Sequence, residues 1–377
     1  MDEAYQKRKD ADMDRSIYTE RREKIVRRMA EDGFDALVIP AGADISYLTG
    51  FTGEAGVAVV VLFPEGSSFV TDSRYTTQVA EETEGYECVL WQKGTHSYCE
   101  NAGMVLAKLA PKTVGIYGAD LTYKDFLGMQ SRYPQGEYRE APAYLAEMRA
   151  KKTPEELDTI REACRISMLS FYALLDHIRP GVTEKDVADQ LEYEFRSHGG
   201  SGMCFDTIVA SGPVNGSCPH ASVSDRVIQK GDFVTIDFGT RYHGYCSDIT
   251  RTVAVGKGAD AELYHIFDIV TEAKKAGQEA LHAGLTRKEL HEAIEAPIKA
   301  AGYTTPHGFG HSFGLDIHEL PFINGNDETP YEAGTITTIE PGIYVPGLGG
   351  VRQEDDYLIC DGGYERLTFI TDHLIEL

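Results

Sequence analysis

Two aspartates, Asp237 and Asp248, lie in one short segment whose pattern predicts a β-hairpin. Apolar and polar residues alternate over Val234–Gly239, which is typical of a strand with one buried face. Glycines follow, and Thr252–Val255 is predicted to be the returning strand. A carboxylate buried in such a strand without a partner would cost several kcal/mol, so it needs a cation. The alternative interpretation is a pair of turn aspartates, and the rest of the chain decides between the two.

The composition limits the classes of partner. With 377 residues the chain is long enough for two domains with cores of their own. Its formal net charge of −24 disfavours nucleic acid and anionic membranes as partners. No apolar run is long enough to cross a bilayer, and the first fifteen residues are too charged for a secretory signal. Seven scattered cysteines without a C-x-x-C pair indicate reduced thiols, so we expect a cytoplasmic protein without a disulfide framework or zinc knuckle.

Strands alternate with helices in the first part of the chain, which predicts an α/β domain over residues 1–147. Asp72-Ser73-Arg74-Tyr75 is a polar group at the end of a predicted strand, and we expect a turn with a salt bridge there rather than a functional site. The predicted elements of this domain, after a lead-in at Met1–Arg15, are helices at Thr19–Glu31, Ser97–Leu109 and Leu121–Arg132 and strands at Ala36–Pro40, Val57–Phe63, Ser68–Thr71, Glu87–Trp91 and Val114–Tyr117.

A second domain is predicted over residues 148–377. Thr153, Pro154 and Glu156 have the spacing of a capped helix start, and Thr286 with Glu289 forms a capping box. The predicted elements are helices at Thr153–Ile178, Thr183–His198, Ala259–Ala283 and Thr286–Ala301, strands at Phe205–Ala210, Thr335–Glu340 and Tyr357–Cys360, and polar loops at His307–Pro321 and Gly347–Asp356.

Further polar residues with metal-ligand chemistry follow the two aspartates. Three histidines, His307, His311 and His318, fall in one glycine-rich segment, Glu340 ends an apolar strand, and Glu354 lies in an acidic run. Each fragment alone is typical of a solvated turn. Together, four carboxylates and one imidazole suit a pair of divalent ions such as Mn²⁺, Co²⁺, Fe²⁺ or Zn²⁺.

These motifs resemble one family. The stretches DFG…GYCSDITRT, HGFGHSFGLDIHE, IEPGIY and GVRQED resemble the pita-bread-fold metallopeptidases, the group containing methionine aminopeptidase, prolidase and Xaa-Pro aminopeptidase. YLTGFTG at Tyr47–Gly53 and TDSRYTTQ at Thr71–Gln78 resemble the N-terminal domain of bacterial Xaa-Pro aminopeptidases, so the resemblance runs from about Ile17 to the C-terminus. It implies an α/β N-terminal domain plus an α+β pita-bread catalytic domain, in a protein that is expected to be a homodimer.

The resemblance also implies residue roles. Asp237 would bind one of two ions, Asp248 and Glu354 would bridge both, and His311 and Glu340 would complete the other ion's shell, with Mn²⁺ the expected metal. The outer catalytic positions match His220, His307, His318 and Arg352, and Glu340 would also act as general base.

The implied reaction is hydrolysis of the Xaa-Pro bond, releasing the N-terminal residue from peptides with proline in second place. The alternative is an Xaa-Pro dipeptidase (prolidase) that accepts dipeptides alone. A non-catalytic or metal-free member is less expected, because all five ligand positions are kept. His307, Arg352 and Phe205 are candidates to line the proline pocket. Ser312, Phe313 and Gln353 depart from the family pattern, and the bulk of the first two is expected to reshape the substrate pocket.

Overall fold

The computed structural model describes residues 15–377, which divide into two compact units with the boundary between Met148 and Arg149. Of the lead-in predicted at Met1–Arg15, all but the last residue lies outside the described residues. No helix within residues 15–377 has the length and apolar character needed to cross a membrane.

The first unit is built on one six-stranded sheet with the strand order β4-β3-β2-β1-β5-β6. The strands are β1 Ala36–Ile39, β2 Val59–Phe63, β3 Gly66–Thr71, β4 Glu87–Leu90, β5 Thr113–Ile116 and β6 Glu137–Glu140. The helices are α1 Ser16–Glu31, α2 Gly42–Thr49, α3 Thr76–Glu82, α4 Tyr98–Leu109, α5 Tyr123–Arg132 and α6 Tyr144–Ala150, the last of which extends past the unit boundary.

Alternate strand residues form the core of this unit. Ala36 and Val38 of β1 lie on one face with Val59 and Val61 of β2, because side chains two apart share a face. They pack against the buried side of α4, including Leu106. The helices α2 and α3, the strand β6 and the helix α6 were not predicted, since all four are short and lack a strong apolar period.

The polar group at the end of β3 is a turn with a salt bridge, as expected. The guanidinium of Arg74 donates from Nε to Oδ1 of Asp72 at 3.0 Å and from Nη2 to Oδ2 at 2.7 Å. The hydroxyl of Tyr98 donates to Oδ2 of Asp72 at 2.6 Å.

The second unit combines two pairs of helices with short sheets. The helices are α7 Pro154–Leu174, α8 Glu184–Ser197, α9 Gly212–Asn215, α10 Ala261–Ala280 and α11 Arg287–Ala300, with a 3-10 turn at Leu175–His177. The strands are β7 Ile208–Ser211, β8 Phe233–Phe238, β9 Arg241–Tyr242, β10 Tyr245–Cys246, β11 Ile249–Ala254, β12 His311–Ser312, β13 Glu319–Phe322, β14 Ile336–Ile339, β15 Gly342–Val345, β16 Gly349–Arg352, β17 Asp355–Cys360, β18 Gly363–Arg366 and β19 Ile375–Glu376.

The predicted aspartate hairpin is present. Strands β8 and β11 pair antiparallel within the sheet β19-β11-β8-β7, and Asp237 lies opposite Thr250. The returning strand begins at Ile249 and not at Thr252, so it starts directly after Asp248. Because Asp237 is near the end of one strand and Asp248 directly precedes the other, the hairpin holds both carboxylates at one end of the sheet.

Each helix pair covers a core of its own. Phe171 of α7 and Leu191 of α8 pack with Ile236 of β8 in one cluster. Ile266 of α10 and Ile294 of α11 pack in a second cluster, with strands β14 to β17. The two predicted loops at His307–Pro321 and Gly347–Asp356 are wrong in part, because they contain β12, the start of β13, β16 and the start of β17.

Candidate metal centre

One cavity of about 570 Å³ in the second unit collects the predicted site residues. Phe205, which was expected to line the substrate pocket, lines it as well. The nine predicted residues that line it are Asp237, Asp248, His311, Glu340, Glu354, His220, His307, His318 and Arg352. Residues that are more than a hundred positions apart in the chain therefore share one site.

Strand ends place the carboxylates. Asp237 is the penultimate residue of β8, and Asp248 directly precedes β11. Glu340 directly follows β14, where its amide donates to the carbonyl of Phe309 at 2.9 Å. Glu354 lies between β16 and β17. Each acid lies at or next to the end of a strand, so backbone pairing of that strand holds the residue in place.

Three donors lie closest together. One ligand atom each from Asp248, His311 and Glu354 falls within 4.8 Å of the others. Nε2 of His311 is 3.4 Å from Oδ2 of Asp248 and 3.6 Å from Oε1 of Glu340. All of these distances are short enough for two or more donors to bind the same cation.

The imidazole of His311 is oriented as a metal ligand. Its Nδ1 is 3.1 Å from the carbonyl oxygen of Ser312, so Nδ1–H donates there and the lone pair of Nε2 faces the carboxylates. Burial, together with the neighbouring His318, lowers the pKa of His311 to about 4. The ring is therefore neutral at physiological pH, which is the form that binds metal ions.

The carboxylates are crowded and need a cation. Burial and the nearby charge of Glu354 raise the pKa of both Asp248 and Glu340 well above the ordinary values. Burial and the charge of Asp237 raise the pKa of Glu354 to about 8. In addition, Oδ1 of Asp237 is buried with no hydrogen-bond donor. A divalent cation would supply the missing partner and stabilise the ionised carboxylates, so this donor set fits divalent metal.

Arg352 and His307 form one wall of the cavity. The guanidinium of Arg352 donates from Nη2 to Oδ2 of Asp237 at 2.6 Å and from Nη1 to the hydroxyl of Tyr344 at 2.5 Å. Nε2 of His307 lies 3.0 Å from that same hydroxyl. Burial and the charge of Arg352 lower the pKa of His307 to about 4, so this imidazole is a neutral group of the wall.

Two other histidines are open to the cavity. His318 is exposed, and its ring centre lies 4.4 Å from that of His311. His220 is also exposed and lines the cavity with Pro219. Both imidazoles therefore line the cavity without being buried in the protein core.

Sequence reasoning missed three supporting residues. Tyr344 links Arg352 to His307, and Thr250 donates from Oγ1 to Oε2 of Glu354 at 2.7 Å. Asp356 accepts the amide N–H of Asp248 at 3.2 Å. Thr250 could have been found from its spacing. It lies two residues after Asp248, and side chains two positions apart in an extended chain lie on the same face.

The three departures from the family pattern do not line the cavity. Ser312 and Phe313 are fully buried, so the structure shows no direct contact through which their bulk would reshape the substrate pocket. The amide of Gln353 donates instead to Oγ1 of Thr271 at 2.6 Å. All three side chains pack into the protein away from the site.

Comparison with known proteins agrees with this geometry. Residues 158–361 match the model of metallopeptidase family M24, and residues 21–151 match the creatinase/prolidase N-terminal domain. The chain is 36% identical to an Xaa-Pro dipeptidase of Pyrococcus furiosus over 93% of this chain and 97% of that one.

Solved structures agree in fold. An Xaa-Pro dipeptidase from Bacillus anthracis has a TM-score of 0.89 and 36% identity, covering 96% of this chain and 100% of that one. An X-Pro aminopeptidase from Thermotoga maritima has a TM-score of 0.86 and 32% identity, covering 94% and 99%. The expected fold, a creatinase-type α/β domain followed by a pita-bread catalytic domain, is confirmed.

Proposed function

The chain belongs to metallopeptidase family M24, and on that premise we propose that it is an Xaa-Pro dipeptidase that uses two divalent metal ions. The observation that carries the proposal is the convergence of Asp248, His311 and Glu354, with Asp237 and Glu340 in the same cavity. Five donors from separate segments of the chain are a larger set than one ion needs from carboxylates and imidazole, and they suit a two-ion site.

We propose Mn²⁺ as the metal. Four of the five donors are carboxylates and one is a neutral imidazole, a mixture that suits Mn²⁺ and is shared by Co²⁺, Fe²⁺ and Zn²⁺. Divalent ions held by these residues would lower the pKa of bound water toward neutrality and polarise the carbonyl of the scissile bond.

Residues of the protein would transfer the proton of the attacking water to the leaving proline nitrogen. Hydrolysis breaks one O–H bond of water and the C–N bond of the Xaa-Pro amide, and forms one C–O and one N–H bond. Glu340 lies beside His311 and is 18% exposed, so it is placed to take the water proton and pass it to the proline nitrogen. His318 and His220 are exposed to the cavity and are placed to donate to the oxygen that gains negative charge.

Proline in the substrate requires a binding pocket of its own. The nitrogen of an Xaa-Pro bond has no N–H, so a peptidase that binds this hydrogen cannot hold the substrate. Phe205, Ile208 and Phe322 give the cavity an apolar wall on which a proline ring can pack. The preference for dipeptides is supported by relatives from Pyrococcus furiosus and Bacillus anthracis, both of which are Xaa-Pro dipeptidases.

One observation favours a second candidate, an Xaa-Pro aminopeptidase that acts on longer peptides. Among the described residues that line the cavity there is no lysine, and the guanidinium of Arg352 already donates to Asp237, Tyr344 and the carbonyl of Pro219. A dipeptide brings its carboxylate into the cavity, whereas a longer peptide does not. The solved relative from Thermotoga maritima is an X-Pro aminopeptidase.

A comparison of two substrates tests the proposal. The protein is stripped of metal, reloaded with Mn²⁺ and assayed on Leu-Pro and on Leu-Pro-Gly. We expect a higher kcat/KM on the dipeptide. Cleavage of the tripeptide with no activity on the dipeptide would favour the aminopeptidase, and no activity on either would contradict both.

We also propose a homodimer, which rests on the family resemblance alone. Light scattering coupled to gel filtration measures the mass directly, and a dimer would have twice the 41.6 kDa of one chain. A mass equal to one chain at micromolar concentration would contradict it.

A further inference from the structure

The strand that follows Asp248 contacts Glu354 three times. The amide of Glu354 donates to the carbonyl of Thr250 at 3.0 Å, and the hydroxyl of Thr250 donates to Oε2 of Glu354 at 2.7 Å. Nη1 of Arg251 donates to the carbonyl oxygen of Glu354 at 2.5 Å. Strand β11 therefore fixes the backbone on both sides of this residue as well as its carboxylate.

Arg251 is itself held rigidly. Its side chain is 3% exposed, and Nη2 donates to Oδ1 of Asp355 at 2.7 Å and to the carbonyl of Ile370 at 3.0 Å. The Asp355 carboxylate also accepts from Lys274 and from Arg366. Since three cations surround one buried carboxylate, the guanidinium of Arg251 cannot shift without breaking several charge-assisted hydrogen bonds.

We propose that Arg251 is a positioning residue of the metal centre, because its guanidinium joins the strand of Asp248 to the backbone of Glu354. The inference rests on the proposed function, in which these two acids share the ions. Arg251 lies three residues after Asp248, and its contact with Glu354 sets the separation of the two carboxylates. Groups that orient metal ligands in this way contribute about 10- to 100-fold to metal affinity.

Arg366 provides a matched control. It donates from Nη2 to Oδ2 of Asp355 at 2.7 Å and also contacts Asp372, so it belongs to the same buried ion cluster. Among its described contacts there is none with Glu354. A purely structural role for the cluster would make the two arginines equivalent, whereas a positioning role makes only Arg251 important for metal binding.

The experiment is a titration of MnCl₂ into metal-stripped full-length protein, followed by calorimetry. Lysine keeps the charge but cannot reach two acceptors in the fork geometry of arginine, so Arg251→Lys loses either Glu354 or Asp355. We expect Arg251→Lys to weaken Mn²⁺ affinity about 10- to 100-fold and Arg366→Lys to stay within about threefold of the original protein. Circular dichroism checks that each variant is folded.

A second variant covers a failure of Arg251→Lys to fold. Arg251→Gln is too short to reach both the carbonyl oxygen of Glu354 and Asp355, while Lys274 and Arg366 still pair with Asp355, and we expect weaker Mn²⁺ binding from it as well. Unchanged affinity in the folded variants, or an equal loss in Arg366→Lys, would overturn the inference. If the unsubstituted protein bound no Mn²⁺ and cleaved no Xaa-Pro peptide, the proposed function would fail instead, so the two failures are distinguishable.

Discussion

Arg352 donates from Nη2 to Oδ2 of Asp237 at 2.6 Å, while Oδ1 of the same aspartate is buried without a donor. The two oxygens of this carboxylate thus differ. Oδ2 is held by a guanidinium that is itself almost fully buried, and Oδ1 stays open to a cation in the cavity that Asp237 lines. Asp237 therefore couples the metal centre to the wall formed by Arg352, Tyr344 and His307.

Arg352→Met should destabilise the metal-free protein more than the metal-loaded protein. Without metal, the substitution leaves Asp237 with no cation nearby, and removing one partner of a buried ion pair costs about 3–5 kcal/mol. With Mn²⁺ bound, the ions still neutralise the Asp237 carboxylate, so the substitution should lower the free energy of unfolding by less. Urea unfolding in chelator and in Mn²⁺ measures this free energy for both states, and an equal decrease in both would contradict the coupling.

Glu319→Gln should lower stability at pH 7 by about 3 kcal/mol, because it leaves the buried Lys152 without its carboxylate and removes one of the carboxylates paired with Arg149, which keeps Asp316. Nη2 of Arg149 is 2.5 Å from Oε1 of Glu319, and Nζ of Lys152 is 3.0 Å from Oε2. Burial alone raises the pKa of Glu319, but the charges of Lys152 and Arg149 outweigh it, and the pKa lies below the ordinary 4.5.

The sign of the pH dependence follows from that lowered pKa. The carboxylate contributes its stabilisation above pH 4.5 and loses it as the pH falls through the lower pKa of the folded state. The difference in unfolding free energy between the original protein and Glu319→Gln should therefore shrink below pH 4.5. Glu332→Gln is the control, because its pair with Lys151 is exposed and should contribute under about 1 kcal/mol. A difference that stays constant to pH 3 would contradict the ion-pair account.

Phe322→Ala should weaken substrate binding. Phe322 lines the cavity with 43% of its surface exposed, so a bound apolar side chain can cover it. We expect a loss of about 1–2 kcal/mol, which raises KM for Leu-Pro about 5- to 30-fold with little change in kcat. Leu320→Ala is the control, since Leu320 is on the same strand and is 41% exposed but does not line the cavity. Equal effects of both substitutions would show that Phe322 has no special contact with substrate.

Local sequence signals predicted the elements that form locally. The three capping boxes at Thr153, Thr183 and Thr286 mark the starts of α7, α8 and α11, because each side chain satisfies an amide of its own helix. The alternation of apolar and polar residues around Asp237 predicted β8, because it shows from the local sequence which face of the strand is buried. Such patterns need no knowledge of the rest of the fold.

Pairing between distant segments was not predictable in the same way. Strands β15 and β16 are rich in glycine and four residues long, and they form because they pair with each other in antiparallel register. The contacts of Thr250 and Arg251 with Glu354 join residues about a hundred positions apart. The family resemblance identified the donor residues. Their positions in one cavity depend on the pairing of distant segments, which the local sequence does not report.

Metal content and hydrolysis measured together on Asp248→Ala show whether the five donors form a two-ion centre that cleaves the Xaa-Pro bond. We expect the original protein to bind two Mn²⁺ per chain and to cleave Leu-Pro, and we expect a chelator to abolish this activity and added Mn²⁺ to restore it. For the folded Asp248→Ala variant we expect loss of both metal binding and hydrolysis, because a carboxylate next to His311 and Glu354 is gone. An Asp248→Ala variant that retained the full metal content and the full rate would contradict this two-ion centre.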